Sequence, residues 1–179
     1  MRKPSSLQTD SILTQNRFPI MISACLLGIN CRYDGGHSTC SDLVDFVASL
    51  PLIPFCPEQL GGLHTPRSPA IMKGGDGRDI LCGKARLINA DGGDVTGAFR
   101  KGAEEAYTLA RLFGSPLAIM KDRSPSCGLE TPYCEKPSGL GIGVTAALFE
   151  SRGIKVFELG RDDPFPSQDF LHFLKGTSD

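Results

Sequence analysis

The segment Ile20–Gly28 (IMISACLLG) is a short, continuous apolar run that ends at a glycine. A run of this kind is typical of a strand buried on both faces of a sheet. Similar runs occur at residues 52–57, 115–121 and 154–157. Apolar residues at helical spacing between them predict helices over residues 41–50, 96–113 and 143–152. This alternation predicts an α/β domain with a mainly parallel sheet covered on both faces.

Loops are expected to take up much of the remaining chain, which contains 21 glycines and 13 prolines. The glycines and prolines of residues 58–79 predict a long loop. We expect this loop to have a function, because loops that only connect two elements of a compact domain are shorter. Residues 80–89 alternate in part and predict an edge hairpin, and Pro54 places the second strand at an edge or in an irregular position. The expected organisation is a mobile leader at 1–17, the α/β domain at 18–160, and a tail or short helix at 161–179.

Composition excludes several classes of protein. With 179 residues, 40% of them apolar, the chain matches one globular domain rather than a disordered protein or a fibre. Nineteen basic and 20 acidic residues leave a net charge of −1, which disfavours binding to DNA, other nucleic acids or anionic lipid. No apolar run is long enough to span a membrane. Seven cysteines without a secretion signal predict a cytoplasmic protein with free thiols.

Three of the cysteines, Cys25, Cys56 and Cys127, each follow a different predicted strand. Parallel strands end at one edge of the sheet, so these thiols are expected to meet in a crevice there. Three thiolates suit an iron–sulfur cluster with one iron left open, whereas the alternative is a set of unrelated buried small residues. No Cys-x-x-Cys pair is present, which disfavours a closed zinc site or a thioredoxin-type pair. The remaining four are expected to be filler: Cys31, Cys40, Cys82 and Cys134.

Several motifs in a fixed order carry a resemblance to a known family. They are CLLG at 25–28, RYDGG at 32–36, CPE at 56–58, GGL at 61–63, TPR at 65–67, GGDG at 74–77, VTG at 95–97, SPSCG at 124–128 and GVTAA at 143–147. Together they resemble the TudS family of thiouracil desulfidases, over nearly the whole domain from Met21 to Phe157.

This resemblance implies a Rossmann-like three-layer domain and a 4Fe-4S cluster held by three cysteines, which by position are Cys25, Cys56 and Cys127. The fourth iron would take sulfur from a small thiolated pyrimidine, supplied as base, nucleoside or nucleotide, without net redox change. The soft thiocarbonyl sulfur suits iron, and water adds where sulfide leaves.

Six further residues are expected to complete the site. Glu58, two residues beyond Cys56, is the predicted base for the attacking water. Ser124 is the predicted catalytic hydroxyl, and Ser126 is expected to bind substrate. The residues expected to orient the ring, bind a phosphate or balance charge are Tyr33, Arg67 and Lys121. Two alternatives stay open at this point: a noncatalytic iron–sulfur binding or sensing protein, and a zinc-bearing structural or RNA-interacting module.

Overall fold

A computed structural model describes residues 18–48 and 50–176. The predicted leader at 1–17 therefore lies outside the described residues, as do Ser49 and residues 177–179. The strands are β1 (Ile20–Ser23), β2 (Leu52–Phe55), β3 (Ala70–Lys73), β4 (Arg86–Asn89), β5 (Leu117–Lys121) and β6 (Lys155–Leu159). The helices are α1 (Ser41–Val47), α2 (Pro57–Leu60), α3 (Gly77–Leu81), α4 (Thr96–Leu112), α5 (Val144–Ser151) and α6 (Gln168–Gly176), with a 3₁₀ turn at Ala24–Leu27.

The main sheet has four strands in the order β2-β1-β5-β6, and every neighbouring pair is parallel. Met21 of β1 pairs with Ile53 on one side and with Ala118 on the other. The predicted α/β fold with a mainly parallel sheet is confirmed, and β2 occupies an edge as Pro54 suggested. Because all four strands run in one direction, their carboxyl ends share one edge of the sheet.

Helices cover both faces of this sheet and give three layers. On one face, α1 and α6 bury apolar side chains against β1 and β5, including Ile20, Ile22, Leu43, Ile119 and Phe170. On the other face, α4 and α5 pack against the alternate strand residues, including Met21, Phe55, Ala106, Met120 and Phe149. Burial on both faces leaves few positions for a polar side chain, which explains the largely apolar runs of these strands. No helix in the described ranges is long and apolar enough to cross a membrane.

The segment 58–79 is more structured than expected, and the prediction of one long loop was wrong. It contains most of α2, all of β3 and the start of α3. A capping box begins α3. The Asp76 carboxylate accepts a hydrogen bond from the backbone N–H of Asp79, and the Asp79 carboxylate accepts one from the backbone N–H of Asp76. The hairpin is also displaced: β3 pairs antiparallel with β4, Met72 opposite Leu87, while Ile80 lies in α3.

Helix α2 is held against α4 by an unusually close backbone approach. A Cβ atom on Gly102 would lie 1.8 Å from the carbonyl oxygen of Pro57, and one on Gly61 would lie 2.1 Å from that of Ala98. Neither position has room for a side chain, because backbone atoms cannot move aside as a flexible side chain can. The contact fixes α2, and with it the residues just before and inside that helix, Cys56 and Glu58.

Replacing Gly102 by alanine should therefore destabilise the protein. We expect the free energy of unfolding to fall by about 3 kcal/mol, since the new methyl forces α2 away from α4. Gly97→Ala in the same helix is the matched control, because a Cβ there meets nothing within 4 Å. It should leave stability unchanged or raise it by up to about 1 kcal/mol. Urea unfolding followed by circular dichroism measures both, and equal midpoints would contradict the close-packing argument.

Candidate active site

A cavity of about 680 Å³ opens at the carboxyl edge of the sheet. Its walls come from the last residues of β1, β2 and β5 and the chain just beyond them, together with Tyr133 and residues from the segments 31–38, 67–70 and 161–162. From β1 the chain proceeds to β2 on one side, whereas β5 lies on the other side of β1. The strand order therefore changes direction at β1. Open α/β sheets bind small molecules beside the strand at which this change occurs.

Four of the seven cysteines line this cavity. Cys25, Cys56 and Cys127 are brought together from the ends of β1, β2 and β5, and Cys31 joins them. The other three lie elsewhere: Cys40 and Cys134 are buried in apolar clusters, and Cys82 is exposed. Cys31 is a residue that sequence reasoning missed. Its position six residues beyond Cys25, directly before the RYDGG motif, was the available signal.

The thiols lie close enough to influence one another. The pKa of Cys31 is raised to about 11, chiefly by side-chain hydrogen bonding with Cys25, and a bond to Cys56 partly offsets this. The pKa of Cys56 is also raised; the larger cause is its side-chain hydrogen bond with Cys31, and the second is burial. Burial raises the pKa of Cys127 to about 12. Each of these raised pKa values favours the neutral thiol when no metal is bound.

The donor set fits an iron–sulfur cluster better than a single ion. Within the described ranges, no three His, Cys, Asp or Glu side chains are grouped so as to hold one metal ion. A cluster places its thiolates on different irons, so its ligands surround a cavity instead of converging on a point. Four cysteines from separate parts of the chain line this cavity, with no histidine among the residues lining it, and such a set of thiols suits a cluster.

Cys127 is held rigidly because its loop docks on the beginning of α5. The N–H groups of Gly143, Val144 and Thr145 donate to the carbonyls of Gly128 (2.7 Å), Pro125 (3.0 Å) and Ser126 (2.8 Å). These are N–H groups that a helix leaves without internal partners, so the loop completes the helix. A Cβ on Gly143 would lie 2.6 Å from the carbonyl oxygen of Ser126, which explains a glycine at this contact.

Serine hydroxyls surround the Cys127 sulfur. Ser124 Oγ accepts hydrogen bonds from the N–H groups of Ser126 (3.2 Å) and Cys127 (3.1 Å). Side-chain hydrogen bonds from Ser23 and Ser124 each lower the pKa of Cys127 and partly offset the effect of burial. Ser23, the last residue of β1, is another residue that the sequence did not suggest. Ser126 is fully buried, bonded to Thr145 Oγ1 at 3.0 Å, and stays outside the cavity lining.

Glu58 lies in the first turn of α2 and forms an ion pair with Arg67. The Arg67 Nε atom donates to Glu58 Oε2 at 2.6 Å, and the two side chains are only 8% and 15% exposed, respectively. Arg67 also donates to the carbonyls of His64 (3.2 Å) and Cys31 (3.0 Å) and to Thr65 Oγ1 (3.2 Å). In the described part of the chain nothing donates to the second oxygen, Oε1, so the carboxylate is oriented with one acceptor oxygen left over.

The remaining predicted residues lie at the rim of the same cavity. Tyr33 is 44% exposed there. Lys121 lines the cavity but forms an ion pair with Asp122 and donates to its backbone carbonyl at 3.1 Å. The charge of Lys121 is therefore largely balanced within its own turn. The next residue, Arg123, has a left-handed backbone conformation with φ at 49°. This conformation costs a non-glycine residue about 1 kcal/mol, and it turns the chain toward Cys127.

Fold and site together define a three-layer α/β enzyme whose pocket is built around cysteine thiols. The model of the 2-thiouracil desulfurase family matches residues 20–159. The chain belongs to this family, and the resemblance drawn from its motifs is confirmed.

Two relatives illustrate the similarity. The chain is 41% identical over 140 residues to the uncharacterized protein YbbK of Bacillus subtilis (strain 168). This alignment covers 76% of this chain and 93% of that protein. It is also similar to a solved structure, the [4Fe-4S]-dependent thiouracil desulfidase TudS. The TM-score is 0.69 at 34% identity, and the match covers 90% of this chain and 97% of the other.

Removing the guanidinium of Arg67 should expose how strongly the Glu58 pair contributes to folding. In the metal-free protein we expect Arg67→Gln to lower the free energy of unfolding by about 3 kcal/mol, because a buried carboxylate loses its partner. Arg78→Gln is the control, since its pair with Glu150 is 64% and 41% exposed and is worth at most about 1 kcal/mol. Urea unfolding compares them, and similar losses in both variants would contradict the assignment of a buried pair at Glu58.

Proposed function

We propose that this protein removes sulfur from a thiolated uracil and releases it as sulfide, using a 4Fe-4S cluster without net redox change. The substrate is the free base, the nucleoside or the nucleotide of 2- or 4-thiouracil. One observation carries the proposal: Cys25, Cys56 and Cys127 line a single cavity in which Glu58 also lies. Membership of the desulfurase family and the similarity to a 4Fe-4S-dependent enzyme support it.

Cys25, Cys56 and Cys127 would hold the cluster. When bound, it supplies an open iron that acts as a Lewis acid toward the soft thiocarbonyl sulfur and makes sulfide a better leaving group. The hydroxyl of Ser23 would assist Cys127 in its thiolate form through the bond already described. The single proton of the Ser124 hydroxyl would then be left for the substrate. The docked loop at 124–128 and the fixed helix α2 hold two of these ligands in place before any substrate arrives.

Glu58 is assigned as the base that takes a proton from the attacking water. A water molecule becomes a competent nucleophile only as it loses a proton, and a carboxylate within hydrogen-bond reach can accept it. Arg67 fixes one oxygen of Glu58 at 2.6 Å and leaves Oε1 for this task. Oxygen from water replaces sulfur on the same carbon, so the oxidation state of that carbon does not change and no electron carrier is needed.

Substrate binding is assigned to residues around the same cavity. Ser124 would donate a hydrogen bond to the ring or to the negative charge that develops as water adds. Tyr33 at the rim and Lys121 in the wall would orient the ring, with Arg67 as the cation nearest the base. Ser126, bonded to Thr145 away from the cavity, would act through the Cys127 loop and not by touching substrate.

Glu58→Gln tests the assigned base. The variant should bind its cluster normally but release sulfide from 2-thiouracil about 100- to 10,000-fold more slowly, because general base catalysis typically contributes that much. Glu104→Gln, on the exposed face of α4, should behave like the unaltered protein. Sulfide release at the normal rate in Glu58→Gln would refute the role of Glu58, whereas bound cluster with no sulfide release in any protein would favour a noncatalytic iron–sulfur protein.

Serine substitutions of the cysteines test the ligand set. After anaerobic reconstitution with iron and sulfide, the variants Cys25→Ser, Cys56→Ser and Cys127→Ser should lose most of the iron and the visible absorption band. Cys40→Ser and Cys134→Ser should keep both, since these thiols lie in apolar clusters away from the cavity. Full iron content in any of the first three variants would remove that residue from the ligand set.

A further inference from the structure

Cys31 is a thiol in the cavity wall that the proposed function leaves unused. It is only 1% exposed, and its side chain packs with those of Cys25 and Cys56. Its backbone is also fixed, since the N–H donates to the Ile29 carbonyl at 2.9 Å and the carbonyl accepts from Arg67 at 3.0 Å. Cys56 Sγ lies 3.6 Å from the same carbonyl. Cys31 is therefore held among the sulfurs assigned to the cluster.

Its surroundings differ from those of an ordinary buried cysteine in this protein. Cys40 and Cys134 sit among aliphatic and aromatic side chains, and each donates to one backbone carbonyl, at 3.6 and 3.4 Å. Cys31 packs instead in a small cluster with Ala24 and Cys25, against which Cys56 also packs. Two of its three neighbours there are thiols that line the same cavity. A residue that served only as a small apolar filler would not need sulfur at this position.

Cys31 also differs from the other three cavity cysteines in its backbone. Cys25 and Cys56 come within two residues of the strands β1 and β2, and the Cys127 loop is bonded to α5. Cys31 lies in residues 28–40, a stretch without helix or strand. Its backbone is held by the hydrogen bonds described above, so its sulfur would move by rotation of the side chain, without disturbing a helix or a strand.

Resting on the proposed function, we propose that Cys31 is an exchangeable fourth ligand of the cluster. In the absence of substrate its thiolate occupies the iron that Cys25, Cys56 and Cys127 leave open, giving the usual set of four cysteine ligands. Substrate displaces it: the bond from iron to the Cys31 sulfur breaks as the bond from iron to the substrate sulfur forms. No electrons are transferred, and the released thiolate takes a proton from solvent. Cys31 thereby protects the open iron between turnovers.

Mössbauer spectra of the reconstituted, substrate-free protein test this directly. The unaltered protein should show four irons in similar sulfur environments and acquire one distinct iron when 2-thiouracil is added. Cys31→Ala and Cys31→Val should show the distinct iron before any substrate is added, and valine keeps the side-chain volume if alanine impairs folding. Cys40→Ala, another buried cysteine, should match the unaltered protein.

Cluster stability and kinetics give two further readouts. On exposure to air, both Cys31 variants should form the electron paramagnetic resonance signal of a 3Fe-4S species several-fold faster than the Cys40→Ala control. Their KM for 2-thiouracil should fall several-fold, because substrate no longer competes with a thiolate.

Three outcomes would overturn the proposal for Cys31. Spectra of the Cys31 variants identical to those of the unaltered protein would show that Cys31 is not a ligand. Failure of both variants to bind a cluster would make it a permanent ligand. A distinct iron already present in the unaltered, substrate-free protein would show that its thiolate does not occupy the open site. Failure of the proposed function is seen separately, as an unaltered protein that binds a cluster but releases no sulfide.

Discussion

Parallel pairing of β1 with β2 and β5 is the constraint on which the pocket depends. The register aligns Ser23 with Phe55, so the chain leaves both strands at the same level, and β5 ends beside them. Cysteines that are 31 or more positions apart along the chain, Cys25, Cys56 and Cys127, therefore lie at one edge of the sheet. The close contact of α2 with α4 and the docking of the Cys127 loop on α5 then fix their orientation. The common direction of the strands thus brings the three cysteines together, and local packing fixes their orientation.

The parts of the fold that could be predicted are those whose sequence pattern extends over many residues. Continuous apolar runs predicted the parallel strands because burial on two faces leaves few positions for a polar side chain. The apolar stripe of α4 predicted a helix over 96–113, and the structure ends it at Leu112. The elements within 58–79 have four or five residues each, too few for a period to show. They depend instead on local polar bonds such as the Asp76 capping box. Cys31 was missed for a related reason, since a hydrogen-bonded turn and not a strand brings it to the pocket.

Arg67 links two parts of the site that the sequence separates. One nitrogen binds the Glu58 carboxylate, and another binds the backbone carbonyl of Cys31. The guanidinium, 8% exposed, thus holds the assigned base and the fourth thiol in a fixed relation. Its charge also lowers the pKa of Cys31 in opposition to the larger effect of Cys25. A planar cation with several donors suits this position, and a lysine has neither the shape nor the number of donors to replace it.

Pro54 has a consequence for how the molecule behaves at high concentration. Ile20 donates to the Pro51 carbonyl at 3.0 Å, so in the register of β1 with β2 the nitrogen of Pro54 points away from β1, toward the open side of the sheet. That nitrogen carries no hydrogen. A strand from a second molecule would find a gap in the row of donors there, so this border of the sheet is protected against intermolecular growth and aggregation.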